Sequence, residues 1–219
     1  MTMRSSCNQV VCFDLDDTLY KEIDFLRSAY REIVTSVGHS ELAGQMVEWF
    51  LAGENAFQKL NQVLGTDKPV AAYLDIYRNH KPTIGLSDGV KETLDELRSR
   101  GVVLGLITDG RSVSQRNKIE ALGLYQWFDD KNIIISEEFG NEKPCVRNYQ
   151  YFETLYPYGN YVYVGDNPQK DFVTVNQRGW DSFCLLDDGR NVHPQDFTLS
   201  AMYLPKHKIT SVRELLDIL

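Results

Sequence analysis

The chain has 219 residues, of which 42% are hydrophobic and 25% charged, and its formal net charge at pH 7 is −8. This length suits one large domain or a core domain with a smaller companion, and the apolar content is sufficient for a buried core. The negative charge argues against a general binder of nucleic acid or of anionic membranes, because both partners require a basic surface. No apolar run reaches the roughly 18 residues of a membrane span, and the start lacks a secretory signal pattern.

The four cysteines (Cys7, Cys12, Cys145 and Cys184) are scattered along the chain. A disulfide framework or a zinc site would need clustered cysteines, so neither is predicted. Cys12 and Cys184 lie in apolar runs and are expected to be small buried thiols. This cysteine usage favours a reduced, cytoplasmic protein.

The first predicted element is a strand over residues 10–13, an apolar run that would be buried on both faces. Apolar residues then recur at helical spacing in four blocks up to residue 82. Gly38 and Gly65 end the first and third of these predicted helices, and Pro69 opens the fourth. Residues 21–82 are therefore predicted to form an all-helical segment.

From residue 86 onward, predicted helices and strands alternate, which indicates right-handed crossovers and a parallel sheet. The predicted fold is an open, doubly wound (Rossmann-like) α/β sheet formed by residues 1–20 and 83–219, with the helical segment inserted after the first strand. Residues 187–208 are poorly patterned, apart from a short edge strand predicted at residues 201–205. Helices are predicted at residues 87–101, 111–124, 144–156, 168–179 and 211–219, and strands at residues 102–108, 132–136, 160–166 and 180–186.

Polar side chains follow the predicted strands at their carboxyl ends, where open parallel sheets bind ligands. The first strand is followed by three acids within four residues, Asp14, Asp16 and Asp17. Such acids would raise one another's pKa steeply unless a divalent cation neutralised them. Mg²⁺ suits the site because it prefers oxygen ligands. The side chains expected around this crevice are Asp14, Asp16, Thr108, Lys143, Asp166 and Asp171.

Lys143 and Thr108 would give the same crevice an anion-binding capacity. A lysine, a hydroxyl and loop N–H groups together form a cradle that phosphate fills well. A metal, an anion site and a spare carboxylate suggest phosphoryl transfer through an aspartyl intermediate.

Four short motifs carry a resemblance to a known family. "DLDDT", "ITDG", "EKP" and "GDNPQKD" occur in this order, each at the end of a predicted strand or in the loop that follows one. In this arrangement the chain resembles the haloacid dehalogenase (HAD) superfamily of aspartate-nucleophile phosphatases, over nearly its whole length. The resemblance implies that the helical segment, residues 21–82, is an α-helical cap domain.

The resemblance implies roles for four of the acids. Asp14 would attack phosphorus and bind Mg²⁺. Asp16 would protonate the leaving oxygen, later activate water, and give its backbone carbonyl to the metal. Asp166 would be the other carboxylate on the metal, and Asp171 would support it from behind or through water. Asp14 would then stay ionised on the metal, whereas the Asp16 side chain, which lies off the metal, could hold a proton.

The resemblance also implies a phosphate site. Thr108 and the backbone N–H of Asp109 would hold the phosphoryl oxygens, and Lys143 would offset the charge between nucleophile and phosphate. Asp17 has no implied role and is interpreted as a turn or cap residue. Gln115 and Lys118 match a pattern common in the family, and are interpreted as structural or surface residues.

The predicted function is a Mg²⁺-dependent phosphomonoester hydrolase acting on a small phosphorylated metabolite, a sugar phosphate or a nucleoside monophosphate. Asp16 argues against a dehalogenase, because the dehalogenases of the superfamily lack an acid at that position. Two alternatives stay open: a phosphomutase of the β-phosphoglucomutase type, and a catalytically retired binding or regulatory module. Lys21 and Glu22, at the entry to the cap, are candidates for a role in specificity.

Overall fold

The computed structural model describes residues 9–219, so Cys7 lies outside the described residues. Each strand of the sheet pairs in parallel with its neighbours. The six strands are β1 (Gln9–Phe13), β2 (Val103–Thr108), β3 (Ile133–Ile135), β4 (Asn160–Gly165), β5 (Asp181–Leu185) and β6 (His207–Ile209). Their order in the sheet is β3-β2-β1-β4-β5-β6, and the predicted fold class is confirmed.

The strand order reverses direction at β1, which has β2 on one side and β4 on the other. Phe13, the last residue of β1, lies opposite Leu106 of β2 and Val164 of β4. The loop after β1 therefore emerges between the carboxyl ends of two neighbouring strands. A crevice at such a switch point is where doubly wound sheets bind ligands.

Helices cover both faces of the sheet, and β1 therefore buries its alternating side chains in two apolar clusters. Val11 and Phe13 pack in the first cluster, whereas Val10 and Cys12 pack in the second. The helices are α1 (Glu22–Ser36), α2 (Ala43–Leu51), α3 (Ala56–Leu64), α4 (Val70–Asn79), α5 (Asp88–Ser99), α6 (Ser112–Ala121), α7 (Ser136–Phe139), α8 (Val146–Leu155), α9 (Val173–Gln177) and α10 (Leu215–Ile218). Within residues 9–219, no helix has both the length and the apolar character needed to cross a bilayer.

Helices α1–α4 pack on one another around an apolar cluster of their own. Ile23, Tyr30 and Ile33 of α1 are buried at helical spacing, and they meet Met46 and Leu60 of the following helices. All four helices fall inside the predicted segment 21–82. Its division from the core as a separate domain stays a prediction.

Three predicted elements differ from the structure. The helix predicted at residues 168–179 is shortened to α9, because residues before it form a turn in which Asp171 accepts from the N–H of Asn167. The strand predicted at residues 201–205 is a helical turn whose carbonyls accept from the Asn176 side chain, and the edge strand is instead β6. The closing helix begins as a 3-10 turn, and only its second half is α10.

Candidate active site

Asp14 lies at the centre of the crevice, directly after β1. Its backbone N–H donates to Val164 O at 2.8 Å, which continues the pairing of β1 with β4 by one residue. Its Oδ1 accepts from the Leu15 N–H at 2.8 Å and lies 2.8 Å from Lys143 Nζ. Among residues 9–219, no group donates a hydrogen bond to Oδ2. One oxygen of Asp14 is thus held, and the other is available.

Lys143 lies beneath Asp14 with its side chain fully buried. Its Nζ is 2.8 Å from Asp14 Oδ1 and 2.9 Å from Asp171 Oδ1, and it donates to the Tyr163 hydroxyl at 3.2 Å. Burial opposes the charge of Lys143, but Asp14 and Asp171 outweigh it and hold the lysine pKa well above its usual range. Lys143 is therefore a fixed positive charge shared by two carboxylates.

Asp171 is held in place by its other oxygen and by a glycine. Its Oδ2 accepts from the Asn167 N–H at 2.9 Å, and the residue is fully buried. A Cβ on Gly165, the last residue of β4, would come within 2.5 Å of Asp171 Oδ2. The glycine at the end of β4 therefore leaves the space that this carboxylate occupies.

One carboxylate oxygen from each of Asp14, Asp166 and Asp171 lies within 4.8 Å of the other two. Burial, together with Asp171 and Asp14, raises the pKa of Asp166 to about 9, and burial raises the pKa of Asp14 to about 6 against the effect of Lys143. A divalent cation would relieve this repulsion, and buried carboxylate oxygens are ligands that suit Mg²⁺. These residues therefore fit a magnesium ion. Both Asp171 oxygens already accept from protein groups, which suits support from behind rather than direct ligation.

The Asp16 side chain turns away from this group and towards α6. Lys118 Nζ donates to its two oxygens at 2.8 and 2.9 Å, the Tyr20 hydroxyl donates at 2.5 Å, and Gln115 Nε2 donates at 3.1 Å. Burial would raise the pKa of Asp16, but the charge of Lys118 and these hydrogen bonds outweigh it and lower the pKa.

In the metal-free protein the pKa shifts of Asp14 and Asp16 thus run opposite to the order expected with Mg²⁺ bound, and that order stays a prediction. The cause is Lys118, which is only 4% exposed and therefore no surface residue. Its Nζ also lies 4.3 Å from the ring centroid of Phe25 in α1. Lys118 thus joins the acid loop to the first helix of the predicted cap.

The predicted phosphate residues meet at the end of β2. Thr108 Oγ1 accepts from Gln115 Nε2 at 2.5 Å, so its own hydroxyl hydrogen remains available to a ligand. Asp109 accepts from the Lys143 N–H at 2.9 Å and pairs with Lys170 Nζ at 3.2 Å. The Asp109 carboxylate therefore fixes the loops that carry the two lysines.

A cavity of about 110 Å³ opens between these groups, and Lys170 is the one lysine among its lining residues. Burial and Lys143 oppose the charge of Lys170, but Asp14 and other carboxylates outweigh them and raise its pKa. Sequence reasoning missed this residue, although it directly precedes Asp171 in "GDNPQKD". The acidic side chains that line the cavity are Asp14, Asp16, Asp17, Glu22, Asp109 and Asp166.

Asp17 ties the acid loop to two other segments. Its backbone is left-handed, with φ of 55°, a conformation that Asp tolerates better than most residues. Its carboxylate accepts from the N–H of Glu22, the first residue of α1, and from the N–H of Val192, both at 2.9 Å. This agrees with the interpretation of Asp17 as a turn or cap residue, and adds an anchor for a distant loop.

That distant loop supplies another residue that sequence reasoning missed. Asn191 lies in the poorly patterned segment, and its Nδ2 donates to Asp166 Oδ2 at 3.1 Å. No periodicity or motif pointed to it. The structure thus brings all the predicted site residues to one crevice, and adds Lys118, Lys170 and Asn191; their catalytic and metal-binding roles stay predictions.

Comparison with known families agrees with this arrangement. The profile of the haloacid dehalogenase-like hydrolases matches residues 11–183, which is well over half of the chain. The chain belongs to this family. The resemblance carried by the four motifs is confirmed, and so is the prediction that the protein is an enzyme of this class.

Two archaeal phosphatases are similar to this chain over nearly its full length. The glyceraldehyde 3-phosphate phosphatase of Methanocaldococcus jannaschii is 31% identical, with 95% of each chain covered. The enzyme of the same name from Methanopyrus kandleri is 30% identical, with 96% of each chain covered. Both relatives are named phosphatases.

Solved structures with this fold include the HAD hydrolase YfnB of Bacillus subtilis, determined with bound magnesium. It covers 97% of this chain and 99% of its own, with a TM-score of 0.71 and 20% sequence identity. The 2-haloacid dehalogenase of Pseudomonas syringae reaches a TM-score of 0.64 at 18% identity. At these identities the likeness concerns the fold alone, which phosphatases and dehalogenases share.

Proposed function

We propose that this protein is a Mg²⁺-dependent phosphomonoester hydrolase that acts on a small phosphorylated metabolite through an aspartyl-phosphate intermediate. The observation that carries the proposal is the state of Asp14. One of its oxygens is fixed by Lys143 and the Leu15 N–H, whereas the other has no hydrogen-bond partner among residues 9–219, and Asp14 lines the cavity. A carboxylate oriented in this way is suited to attack an electrophile.

In the first step, Asp14 Oδ2 forms a bond to phosphorus while the bond to the leaving oxygen breaks. Asp16 gives that oxygen a proton. In the second step, Asp16 takes a proton from water, the water oxygen bonds to phosphorus, and the bond to Asp14 breaks, which releases phosphate and restores the enzyme. Lys118 favours the ionised form of Asp16, which is the form that accepts the proton from water in the second step. For the first step Asp16 must carry a proton.

Asp14, Asp166 and the backbone carbonyl of Asp16 would hold Mg²⁺, with Asp171 supporting them. When bound, the ion would supply positive charge against the phosphoryl oxygens. The Thr108 hydroxyl and the Asp109 N–H would orient those oxygens. Lys170 would add a charge from the side of the cavity.

The size of the cavity supports a small substrate. Its volume of about 110 Å³ lies below the roughly 300–1,000 Å³ typical of pockets for larger ligands. The names of the archaeal relatives support a triose or other short sugar phosphate over a nucleoside monophosphate. Helices α1–α4 would act as the cap that covers this site. The protein would act in the cytoplasm.

A phosphate-release screen over short sugar phosphates and nucleoside monophosphates tests the proposal. We expect release with Mg²⁺ and none after chelation, with little recovery in Ca²⁺, because Ca²⁺ takes more ligands at longer distances. Product analysis separates the alternatives: an isomerised phosphate ester would identify a phosphomutase. Loss of all turnover together with retained Mg²⁺ binding would support a retired binding module instead.

A further inference from the structure

The loop after β5 is folded by its own side chains into a fixed shape. Asp187 Oδ1 accepts from the N–H groups of Gly189, Arg190 and Asn191 at 2.8, 3.0 and 2.9 Å. Gly189 has φ of +90°, a conformation that glycine adopts without steric cost. The Asp187 carboxylate therefore sets the position of the Asn191 backbone.

The base of this loop is hydrogen-bonded to Asp166, the candidate metal ligand that directly follows β4. Gln195 Nε2 donates to the backbone carbonyls of Asp166 at 2.7 Å and of Leu185 at 2.8 Å, while its Oε1 accepts from the Asp187 N–H at 3.0 Å. Asn191 is consequently presented to Asp166 by a segment that is itself bonded to Asp166.

The Asn191 amide is engaged at both ends. Its Nδ2 donates to Asp166 Oδ2 at 3.1 Å, and its Oδ1 accepts from Lys21 Nζ at 2.7 Å. An ammonium group can only donate, so it selects the amide oxygen and leaves the NH₂ group for the carboxylate. Lys21 is mostly buried, and it immediately precedes α1.

A second pair of contacts joins the same segments. Asp17 accepts from the N–H groups of Glu22 in α1 and of Val192 in the loop. The Val192 side chain packs against the apolar cluster of helices α1–α4. The position of the loop is therefore linked to the helical segment by packing as well as by hydrogen bonds.

We propose that Asn191 is a positioning residue for Asp166, and that Lys21 fixes the orientation of the Asn191 amide. The start of the predicted cap is thereby coupled to the magnesium site, an inference that rests on the metal site proposed above. Partners that orient a ligating carboxylate commonly contribute about 10- to 100-fold to metal affinity. Asn191 and Lys21 act in series in this arrangement.

Simple electrostatics predicts the opposite effect for Lys21. A cation close to a metal site repels the metal, so its removal alone should strengthen Mg²⁺ binding. If Lys21 instead acts by orienting Asn191, its removal should weaken binding. The sign of the change therefore separates positioning from general charge.

The test is calorimetric titration of the metal-free full-length protein with Mg²⁺, which does not depend on turnover. We expect Asn191→Ala and Lys21→Met each to weaken Mg²⁺ binding by about tenfold. The double variant should be no weaker than Asn191→Ala alone, because the two residues act through one contact. Arg190→Met is the matched control: it removes a neighbouring cation that pairs with Asp188, as Lys21 does, and should change binding less than twofold.

The coupling is wrong if Lys21→Met binds Mg²⁺ as tightly as the wild type or more tightly. The role of Asn191 is wrong if Asn191→Ala, with unchanged thermal unfolding, binds within twofold of the wild type. Lys21→Met leaves every loop side chain in place, so the answer does not depend on the folding of the Asn191 variant. A wild-type protein that binds no Mg²⁺ would instead overturn the metal site on which the inference rests.

Discussion

Asp14 and Asp16 leave the same strand end, and each meets a buried lysine, yet their surroundings differ. Asp14 shares Lys143 with Asp171, so one positive charge serves two carboxylates. Asp16 has Lys118 as its own partner and also accepts from two neutral donors. The pKa of Asp14 is raised to about 6, whereas that of Asp16 is lowered.

The number of partners, and not the residue type, sets the direction in which the pKa of each acid is shifted. Burial opposes ionisation at both positions, and only at Asp16 do the partners outweigh it. Asp14 keeps one oxygen that has no hydrogen-bond partner among residues 9–219, which suits a metal ligand and nucleophile. Asp16 has both oxygens engaged, which suits a group that moves a proton within hydrogen bonds.

The largest effect is expected when Asp14 itself is replaced. Asp14→Asn should lower phosphate release by at least about three powers of ten, because an amide cannot attack phosphorus. The side chains have nearly equal volume, so thermal unfolding should change little. Steady-state release of phosphate in Mg²⁺ measures the loss. A folded variant that retains more than about a tenth of wild-type activity would contradict the covalent mechanism.

Exchanging the two lysines for methionine compares the pairs directly. Without metal, Lys143→Met should cost about 3–5 kcal/mol of unfolding free energy, because two buried carboxylates lose their compensating charge. Lys118→Met should cost about 1.5–3 kcal/mol, since Asp16 keeps its two neutral donors. Urea unfolding at neutral pH measures both values. Equal losses would show that sharing one lysine between two acids has no energetic consequence.

The surroundings of Asp14 could be predicted from the sequence, whereas those of Asp16 could not. Parallel strands end at one edge, so an apolar run followed by acids places Asp14 and Asp166 together without knowledge of any contact. Lys143 and Asp171 followed from the motif order. The Asp16–Lys118 contact joins residues 102 positions apart. Because α6 is mostly polar, its sequence gives no sign that Lys118 is buried until the packing of α1 over it is known.

The unpatterned segment was the second gap in the prediction. Asn191 and Lys21 are 170 positions apart, and their contact depends on a loop held by side-chain hydrogen bonds rather than by hydrophobic periodicity. The same kind of contact shortened the helix at residues 168–179, where Asp171 accepts from the Asn167 N–H. Local side-chain bonds to the backbone compete with helix and strand formation, and periodicity does not report them.

A smaller effect is expected for Lys170, which sharpens the question of which lysine the substrate meets. Lys143 is buried and already paired with two acids, whereas Lys170 lines the cavity together with six acidic residues. Lys170→Met should lower kcat/KM for a phosphomonoester by about tenfold, and Lys170→Arg should restore most of it. The inhibition constant for inorganic phosphate should rise in parallel.

Lys206→Met is the control for this prediction, because Lys206 pairs with Asp181 outside the cavity. It should leave kcat/KM unchanged. If Lys170→Met matches this control, Lys170 adds nothing to the attraction for phosphate, and its charge serves only to hold Asp109.

The smallest expected effect concerns Glu22, which faces the cavity at the start of α1. Burial, followed by repulsion from Asp16, raises its pKa to about 8 from an ordinary value of 4.5. Because the folded-state pKa is the higher one, ionised Glu22 destabilises the folded protein. The full contribution of Glu22 to stability is present below about pH 4.5 and is lost as the pH rises through about 8.

Glu22→Gln should therefore unfold at a temperature a few degrees above that of the wild type at pH 9, with the difference shrinking towards pH 5. Calorimetry of the metal-free proteins at several pH values measures this difference, in which the other titrating acids largely cancel because both proteins contain them. Glu120→Gln, on the exposed face of α6, should show no such trend, and parallel curves for Glu22→Gln and the wild type would mean that Glu22 is well solvated at the mouth of the site.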